Sequence, residues 1–131
     1  MNSTMKFNTI MSKGPATLIC LIDVLLSWRL FPIAFTKDIA KFYNSVDSVE
    51  HDYVHRIIWC FKIDETLRTY ITKVVHCGDC AAGSITMLCL WKTAQKNYEA
   101  NPRAAEKLLK LMYSDDLTTG GENKAERLRF H

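Results

Sequence analysis

A chain of 131 residues with 48% hydrophobic and 24% charged side chains is long enough for one domain with its own core and too short for two. This composition favours a folded chain over an intrinsically disordered one, since disordered chains are poor in apolar residues. The formal net charge of +3, with no run of basic residues, is compatible with a nucleic-acid partner but too small to predict one.

The first element in chain order is an apolar stretch at residues 16–35, which follows a polar lead-in over residues 1–12. Its leucines and isoleucines recur at helical spacing and Asp23 lies off that stripe. An Asp at the centre of a membrane span costs about 2.5–3.5 kcal/mol. We therefore predict an amphipathic core helix over residues 16–30 that ends at Phe31–Pro32, and neither a membrane span nor a secretory signal.

Three short strands are predicted next. The stretch IAFTKDI at residues 33–39 predicts the first of them. Residues 55–63 (HRIIWCFKI) and 68–76 (RTYITKVVH) are rich in β-branched and aromatic residues, so they predict two paired strands joined by a turn at Asp64–Glu65. Trp59 lies within an apolar strand and is expected to pack in the core.

Two helices and a hairpin complete the predicted fold. Residues 84–100 predict a helix capped by Ser84, and Asn101–Pro102 opens a shorter helix with Asn as cap and Pro at the first position. LMYSDDLTTG then suits a β-hairpin with its bend at Ser114–Asp115, and residues 122–131 form a polar tail. The predicted class is α+β, with a small, mostly antiparallel sheet packed with helices.

The adjacent aspartates of the predicted hairpin have two interpretations. Asp115 and Asp116 can belong to an ordinary surface turn, or they can converge at the bend and hold a divalent cation, since hard carboxylate oxygens suit Mg²⁺ or Mn²⁺. Asp38 supplies a third carboxylate at a strand end. Carboxylates that hold two ions about 3.5–4 Å apart are the usual apparatus of phosphoryl and nucleotidyl transfer.

Five stretches of the chain carry a joint resemblance. KGPATLICLIDVLLSWR, IAFTKDIAKFYNSV with its A-x-x-x-DI-x-K pattern, and IIWCF come first, and CGDCAAGSITMLCLWKTAQ and LMYSDDLTTG follow. Together they resemble the reverse transcriptase of Bel/Pao-type long-terminal-repeat retrotransposons, in which the last two stretches read FGD-x-A-A and Y-x-DD-L-L-T-G. The resemblance covers residues 13–121, which would form a partial reverse transcriptase domain with a palm-like core.

This resemblance implies an RNA-directed DNA polymerase in which Asp38, Asp115 and Asp116 are the catalytic carboxylates and the ligands of Mg²⁺ or Mn²⁺. It implies that the backbone of Ile39 lies beside the metal or the incoming triphosphate. It also implies that the ring of Tyr43 lies under the sugar, where it would collide with a ribose 2′-hydroxyl and accept a deoxyribose.

The same resemblance places Tyr113 near the primer end and Cys77–Gly78 in the loop that shapes the nucleotide pocket, where the family usually has Phe at the position of Cys77. The implied partners are an RNA or DNA template–primer, deoxynucleoside triphosphates and the rest of a polyprotein, with no membrane. The family's triphosphate-gripping residues lie upstream of Met1 and its thumb downstream, so we expect the isolated chain to bind Mg²⁺ or Mn²⁺ weakly and not to extend a primer.

Other motifs have competing interpretations. The C-x-x-C of Cys77 and Cys80 occurs in redox dithiols and zinc sites, but no second pair at zinc spacing follows, so we predict neither a disulfide nor a zinc site. The chain has an odd number of cysteines, which fits buried free thiols in a reducing, intracellular compartment, cytoplasmic or nuclear. His51 and His55 are interpreted as part of a polar patch rather than as metal ligands.

Two functions from different classes stay open. The first is a reverse transcriptase from a retrotransposon polyprotein that transfers nucleotides with two metal ions and the three aspartates. The alternative is a catalytically inactive retroelement remnant that acts as a small interaction or nucleic-acid-binding module. Whether the open reading frame extends beyond residues 1–131 would help to separate them.

Overall fold

The computed structural model describes residues 6–48 and 55–122. The helices are α1 (Phe7–Ile10), α2 (Leu21–Arg29), α3 (Ala82–Lys96) and α4 (Pro102–Leu111), and the strands are β1 (Ile33–Asp38), β2 (Arg56–Trp59), β3 (Arg68–Ile71), β4 (Met112–Tyr113) and β5 (Asp116–Gly121). A 3₁₀ turn covers Tyr43–Ser45. The predicted α+β class with antiparallel sheets is confirmed.

The central sheet has three antiparallel strands in the order β1-β5-β4. Strand β1 pairs along its whole length with β5, from Ile33 opposite Gly121 to Asp38 opposite Asp116. The predicted hairpin is present, because β4 and β5 pair on either side of a bend at Ser114–Asp115. Gly121 is the last residue of β5, so the chain leaves the sheet where the polar tail was expected to begin.

Strands β2 and β3 form a separate antiparallel ribbon, as their sequences predict. The ribbon continues toward the body of the molecule through a bridge between Asp47 and Val74. Trp59 was expected in the core, but its side chain is 56% exposed. The prediction fails because, among the described residues, β2 pairs only with β3, and every residue of both strands is exposed.

The core forms where helices α3 and α4 meet the central sheet. Phe42, Met87 and Met112 are its buried centre. The partly buried residues that pack around this centre are Ile39, Tyr43, Leu90, Trp91, Leu108 and Leu117. Met87 from α3 and Met112 from β4 are fully buried, so the helix layer and the hairpin are joined by apolar contact.

Helix α3 begins at Ala82, two residues before the predicted cap. Ser84 makes no capping bond, and its hydroxyl instead lies 2.9 Å from the carbonyl oxygens of both Lys13 and Pro15. Helix α4 has Pro102 in its first turn as predicted, but the side chain of Asn101 makes no capping bond. The sequence located both helices, whereas the side-chain partners at their starts depend on distant chain.

Helix α2 is shorter than predicted and does not bury its apolar stripe. Among its residues only Val24 is buried, while leucine and isoleucine side chains on the predicted stripe remain 39–67% exposed. Periodicity marks an apolar face, but burial needs an element to cover it, and α2 lies chiefly against β4 and β5 of the central sheet, with Trp28 Nε1 donating to the Phe35 carbonyl of β1. Within residues 6–48 and 55–122, no helix is long and apolar enough to cross a membrane.

The expected lead-in is partly structured, since α1 forms a single helical turn within it. His51 and all of the predicted polar tail after Glu122 lie outside the described residues. Free thiols were expected to be buried, but Cys20 and Cys77 are exposed. These positions were misjudged because the apolar neighbours of Cys20 are themselves uncovered and Cys77 lies in a surface loop.

Candidate functional site

Two of the three predicted carboxylates face each other across the central sheet. Asp38 is the last residue of β1, and it lies directly opposite Asp116, the first residue of β5. Residues that are directly opposite in an antiparallel pair share one face, with Cβ atoms about 4.5–5.5 Å apart. Both side chains are exposed, so solvent and ligands have access to this end of the sheet.

The third carboxylate belongs to the bend that joins β4 to β5. The backbone N–H of Ile39 donates to the carbonyl oxygen of Asp115 at 2.9 Å, which ties the bend to the end of β1. Ser114 has a φ of 58°, the left-handed conformation that lets the bend turn tightly. Asp38, Asp115 and Asp116 are therefore gathered at one end of the sheet, here called the carboxylate corner.

The backbone of Ile39 is only partly available for a ligand. Its N–H is engaged by Asp115, and its carbonyl oxygen accepts one bond from the N–H of Phe42 at 3.1 Å. A carbonyl oxygen has two lone pairs, so this oxygen retains one acceptor position. Any role of the Ile39 backbone at the corner therefore falls to its carbonyl oxygen, which suits a cation and not a phosphate.

The corner can supply hard oxygen ligands, but not a complete cage. Within residues 6–48 and 55–122, no group of three acidic, histidine or cysteine side chains is arranged to hold a metal ion. Mg²⁺ is usually bound by one or two carboxylates, with water and substrate phosphates completing the coordination. The cross-strand pair of Asp38 and Asp116 fits that requirement, with Asp115 beside it.

A cleft of about 430 Å³ is bordered by Ser114, beside the corner. Tyr43 lines it, half-buried, with its ring edge-on to Phe42 at a centroid distance of 5.5 Å. The opposite wall is the segment from Lys13 to Leu18, which the hydroxyl of Ser84 holds through carbonyl oxygens. This wall was not predicted, because a helix was expected over residues 16–30, whereas α2 begins at Leu21.

Two predicted pocket residues do not line this cleft. Cys77 and Gly78 lie in the loop before α3, whereas the loop and helix residues that border the cleft are Cys80, Gly83 and Ser84. Gly78 accepts a hydrogen bond from the side-chain amide of Asn8 at 2.8 Å. The N-terminal segment thus holds the loop through the side chain of Asn8, which also accepts a bond from the N–H of Cys80 at 3.1 Å.

Tyr113 lies at the end of β4, opposite Asp116 in register. Its side chain is half-buried, so part of the ring is accessible next to the corner. A position at the primer end, which the resemblance implies, is compatible with this place at the rim. The register also puts Tyr113 on the same face as the carboxylate of Asp116.

A second polar cluster lies away from the corner and was not foreseen. His55 Nε2 is 2.7 Å from Asp79 Oδ2, and the His55 ring stacks on His76 with centroids 5.6 Å apart. Phe7 packs edge-on against His55 at 5.3 Å. These residues come from three distant parts of the chain, so no local sequence pattern could have identified the cluster.

No protein-family model, curated protein or solved structure matches this chain. What the corner and the cleft can bind therefore has to follow from the geometry of their own residues. The corner presents clustered carboxylates to solvent, and the cleft beside it is lined by two aromatic rings, one lysine and mainly small or apolar residues. Such an arrangement can hold a divalent cation and an anionic ligand that shares it.

Proposed function

We propose that this chain is the palm core of a reverse transcriptase of the Bel/Pao retrotransposon type, which transfers deoxynucleotides to a primer end. The observation that carries the proposal is the pairing of Asp38 with Asp116, together with the bond from Ile39 N–H to the Asp115 carbonyl. These contacts join a strand-end aspartate to an Asp-Asp hairpin, which is the arrangement that the resemblance implies.

Asp38, Asp115 and Asp116 would hold Mg²⁺ or Mn²⁺. The cations, when bound, activate the attacking hydroxyl and neutralise charge on the leaving pyrophosphate. The residues of the chain position the reactants, and positioning is the main contribution that a protein makes to phosphoryl transfer. The exposure of Asp38 and Asp116 leaves room for phosphate oxygens to complete the coordination.

The cleft beside the corner would receive the deoxynucleoside triphosphate. Tyr43 is half-buried in its wall and its ring is braced by Phe42, so it cannot move aside freely for a larger sugar. The side chain of Lys13 borders the same cleft and supplies one positive charge for phosphate. A template–primer of RNA or DNA would approach from the open rim at Tyr113.

The proposal is tested by Mn²⁺ titration followed by electron paramagnetic resonance. Because substrate phosphates share the coordination, we expect Mn²⁺ affinity to rise when a deoxynucleoside triphosphate and a template–primer are present. Asp38→Asn and Asp115→Asn should abolish that rise. Asp23→Asn, which removes the same charge from α2, is the matched control and should keep it. An equal rise in all four proteins would overturn the proposal.

A second candidate function is a catalytically inactive module that binds a partner or nucleic acid. The observation that favours it is the number of large apolar side chains left exposed on α2, β2 and β3. A primer-extension assay on an RNA template with Mn²⁺ separates the two functions. Extension that Asp115→Asn lacks identifies a working polymerase. Without extension, an incomplete palm core still shows the substrate-dependent rise in Mn²⁺ affinity that Asp115→Asn lacks, whereas oligonucleotide binding without that rise identifies the module.

A further inference from the structure

The β2–β3 ribbon presents an unusual combination of side chains to solvent. Its cross-strand register places Ile57 opposite Tyr70 and Trp59 opposite Arg68. Opposite residues share a face, so these four side chains lie together, and we call this surface the aromatic face of the ribbon. The other face carries Arg56, Ile58, Thr69 and Ile71.

The aromatic face presents two neighbouring, partly exposed aromatic rings to solvent. Trp59 is 56% exposed and Tyr70 is 37% exposed. They are diagonal partners in the register, which puts their Cα atoms about 7–8 Å apart on one surface. Phe61 packs edge-on against Tyr70 with ring centroids 6.2 Å apart, so Tyr70 is held in place from one side.

The charge of the ribbon indicates which class of partner it can bind. Between residues 56 and 73 the basic residues are Arg56, Lys62, Arg68 and Lys73, and the acidic residues are Asp64 and Glu65. Both acids lie in the turn between the strands, while Arg68 lies on the aromatic face itself. Exposed rings beside a cation suit a polyanion with stackable bases, and the excess of basic over acidic residues in the ribbon matches the charge of such a partner.

The base of the ribbon is continuous with the wall of the cleft. The N–H of Val75 donates to the carbonyl of Val46 at 2.9 Å, and the N–H of Val46 donates to the carbonyl of Tyr43 at 3.2 Å. Tyr43 lines the cleft beside the carboxylate corner. Backbone hydrogen bonds therefore tie the segment that follows β3 to the segment that carries Tyr43.

We infer that the aromatic face of the β2–β3 ribbon binds single-stranded nucleic acid. Trp59 and Tyr70 stack on successive bases, and Arg68 pairs with a phosphate between them. Stacking on rings is tolerant of sequence, because every base has a π-face. The inference rests on the proposed function only in assigning the bound strand as the template, and the binding itself is independent of the carboxylates.

Fluorescence anisotropy with labelled oligo-dT and oligo-U, added to the full chain, tests this inference. Trp59→Ala should weaken binding by about 5-fold to 150-fold, the loss typical of one base–aromatic stack, and Trp59→Phe should retain most of it. Arg68→Ala should reduce the slope of log K against log[salt] by about 0.7, the value for one phosphate on a single strand. Circular dichroism confirms the fold of each variant.

The matched control is Arg56→Ala, which removes the same charge from the opposite face of the same ribbon. Arg56→Ala should leave the salt slope unchanged, so equal effects of the two arginine variants would overturn the inference. Unaltered binding by Trp59→Ala would overturn it as well. Oligonucleotide binding together with an equal Mn²⁺ response in the wild-type chain and in Asp115→Asn would keep this inference and reject the proposed function instead.

Discussion

At the scale of single residues, the central sheet depends on close approach at Gly120. Gly120 lies in β5 opposite Ala34. Its backbone packs against the side chain of Phe31, which follows α2 in the chain. A Cβ atom built there would overlap Cβ and Cγ of Phe31 and lie 2.6 Å from the carbonyl oxygen of Ile33. Gly83, in contrast, has open space where a Cβ would be placed.

Gly120→Ala is therefore expected to lower the free energy of unfolding by about 1–3 kcal/mol, the usual cost of overpacking. Gly83→Ala, a glycine change within α3, should raise it by up to about 1 kcal/mol because alanine favours a helix. Urea denaturation of both variants measures the difference. Equal stability of the two would show that Phe31 moves aside without cost.

At the scale of elements, helix α3 buries one apolar side chain and leaves the next one in the sequence exposed. Met87 is fully buried in the core, and Leu88, the next residue, is 41% exposed. A helix turns by about 100° per residue, so adjacent residues lie on different faces. The buried face of α3 includes Ala82, Thr86 and Ala94, and the hydroxyl of Thr86 donates to the carbonyl of Ala82 at 2.8 Å.

Met87→Ala is expected to cost about 2–5 kcal/mol of unfolding free energy, because it leaves a cavity among Phe42 and Met112. Leu88→Ala removes a similar volume from a half-open site and should cost clearly less. Thermal and urea unfolding followed by circular dichroism compare the two. A larger effect of Leu88→Ala would place the core on the other face of α3.

Helix α4 carries an exposed ion pair one turn apart, with Lys110 Nζ 2.7 Å from Glu106 Oε1. The hydrogen bond from Lys110, and then its charge, lower the pKa of the Glu106 carboxyl. A lowered pKa stabilises the fold above the carboxyl's unfolded pKa, and that contribution is lost as pH falls through the folded pKa. Full exposure keeps this contribution small.

Lys110→Met should raise the pKa of Glu106 toward its ordinary value, and Lys110→Arg should keep it low. A pH titration followed by NMR of the Glu106 side chain measures the shift directly. Added salt should diminish the difference between the wild-type chain and the Met variant, since both groups are in solvent. An unchanged pKa of Glu106 in Lys110→Met would show that Lys110 does not lower it.

At the scale of the whole molecule, apolar surface is distributed unevenly. The side chains of Ile22 and Leu26 in helix α2 are more than half exposed, whereas that of Val24 between them is only 2% exposed. Exposed apolar patches of this kind promote association between copies of a chain. The central sheet and α3–α4, by contrast, enclose the core described above.

We expect the purified chain to self-associate through α2 as its concentration rises. The double variant Ile22→Lys and Leu26→Lys should shift sedimentation toward the monomer without loss of helical signal, because both side chains are already largely in solvent. Val24→Lys is the contrasting variant and should destabilise the fold, since it buries a charge. Unchanged association in the double variant would move the contact to another surface.

The sequence by itself determined the order of the elements and where some of them begin. Strand β1, the hairpin bend at Ser114–Asp115 and the start of α4 follow from β-branched runs, a polar bend and an Asn-Pro signal, which act within a few residues. The resemblance also singled out Asp38, Asp115 and Asp116. Local signals of this kind predict where an element lies, but not what covers it.

Only the tertiary structure decided which apolar residues are buried and which residues come together at the carboxylate corner and the cleft. The stripe of α2 and Trp59 are exposed because no described element packs over them, and burial is a property of pairs of elements. The pairing of Asp38 with Asp116 and the anchoring of Lys13 by Ser84 join residues more than 70 positions apart. Such contacts depend on strand register and helix placement, which no local pattern encodes.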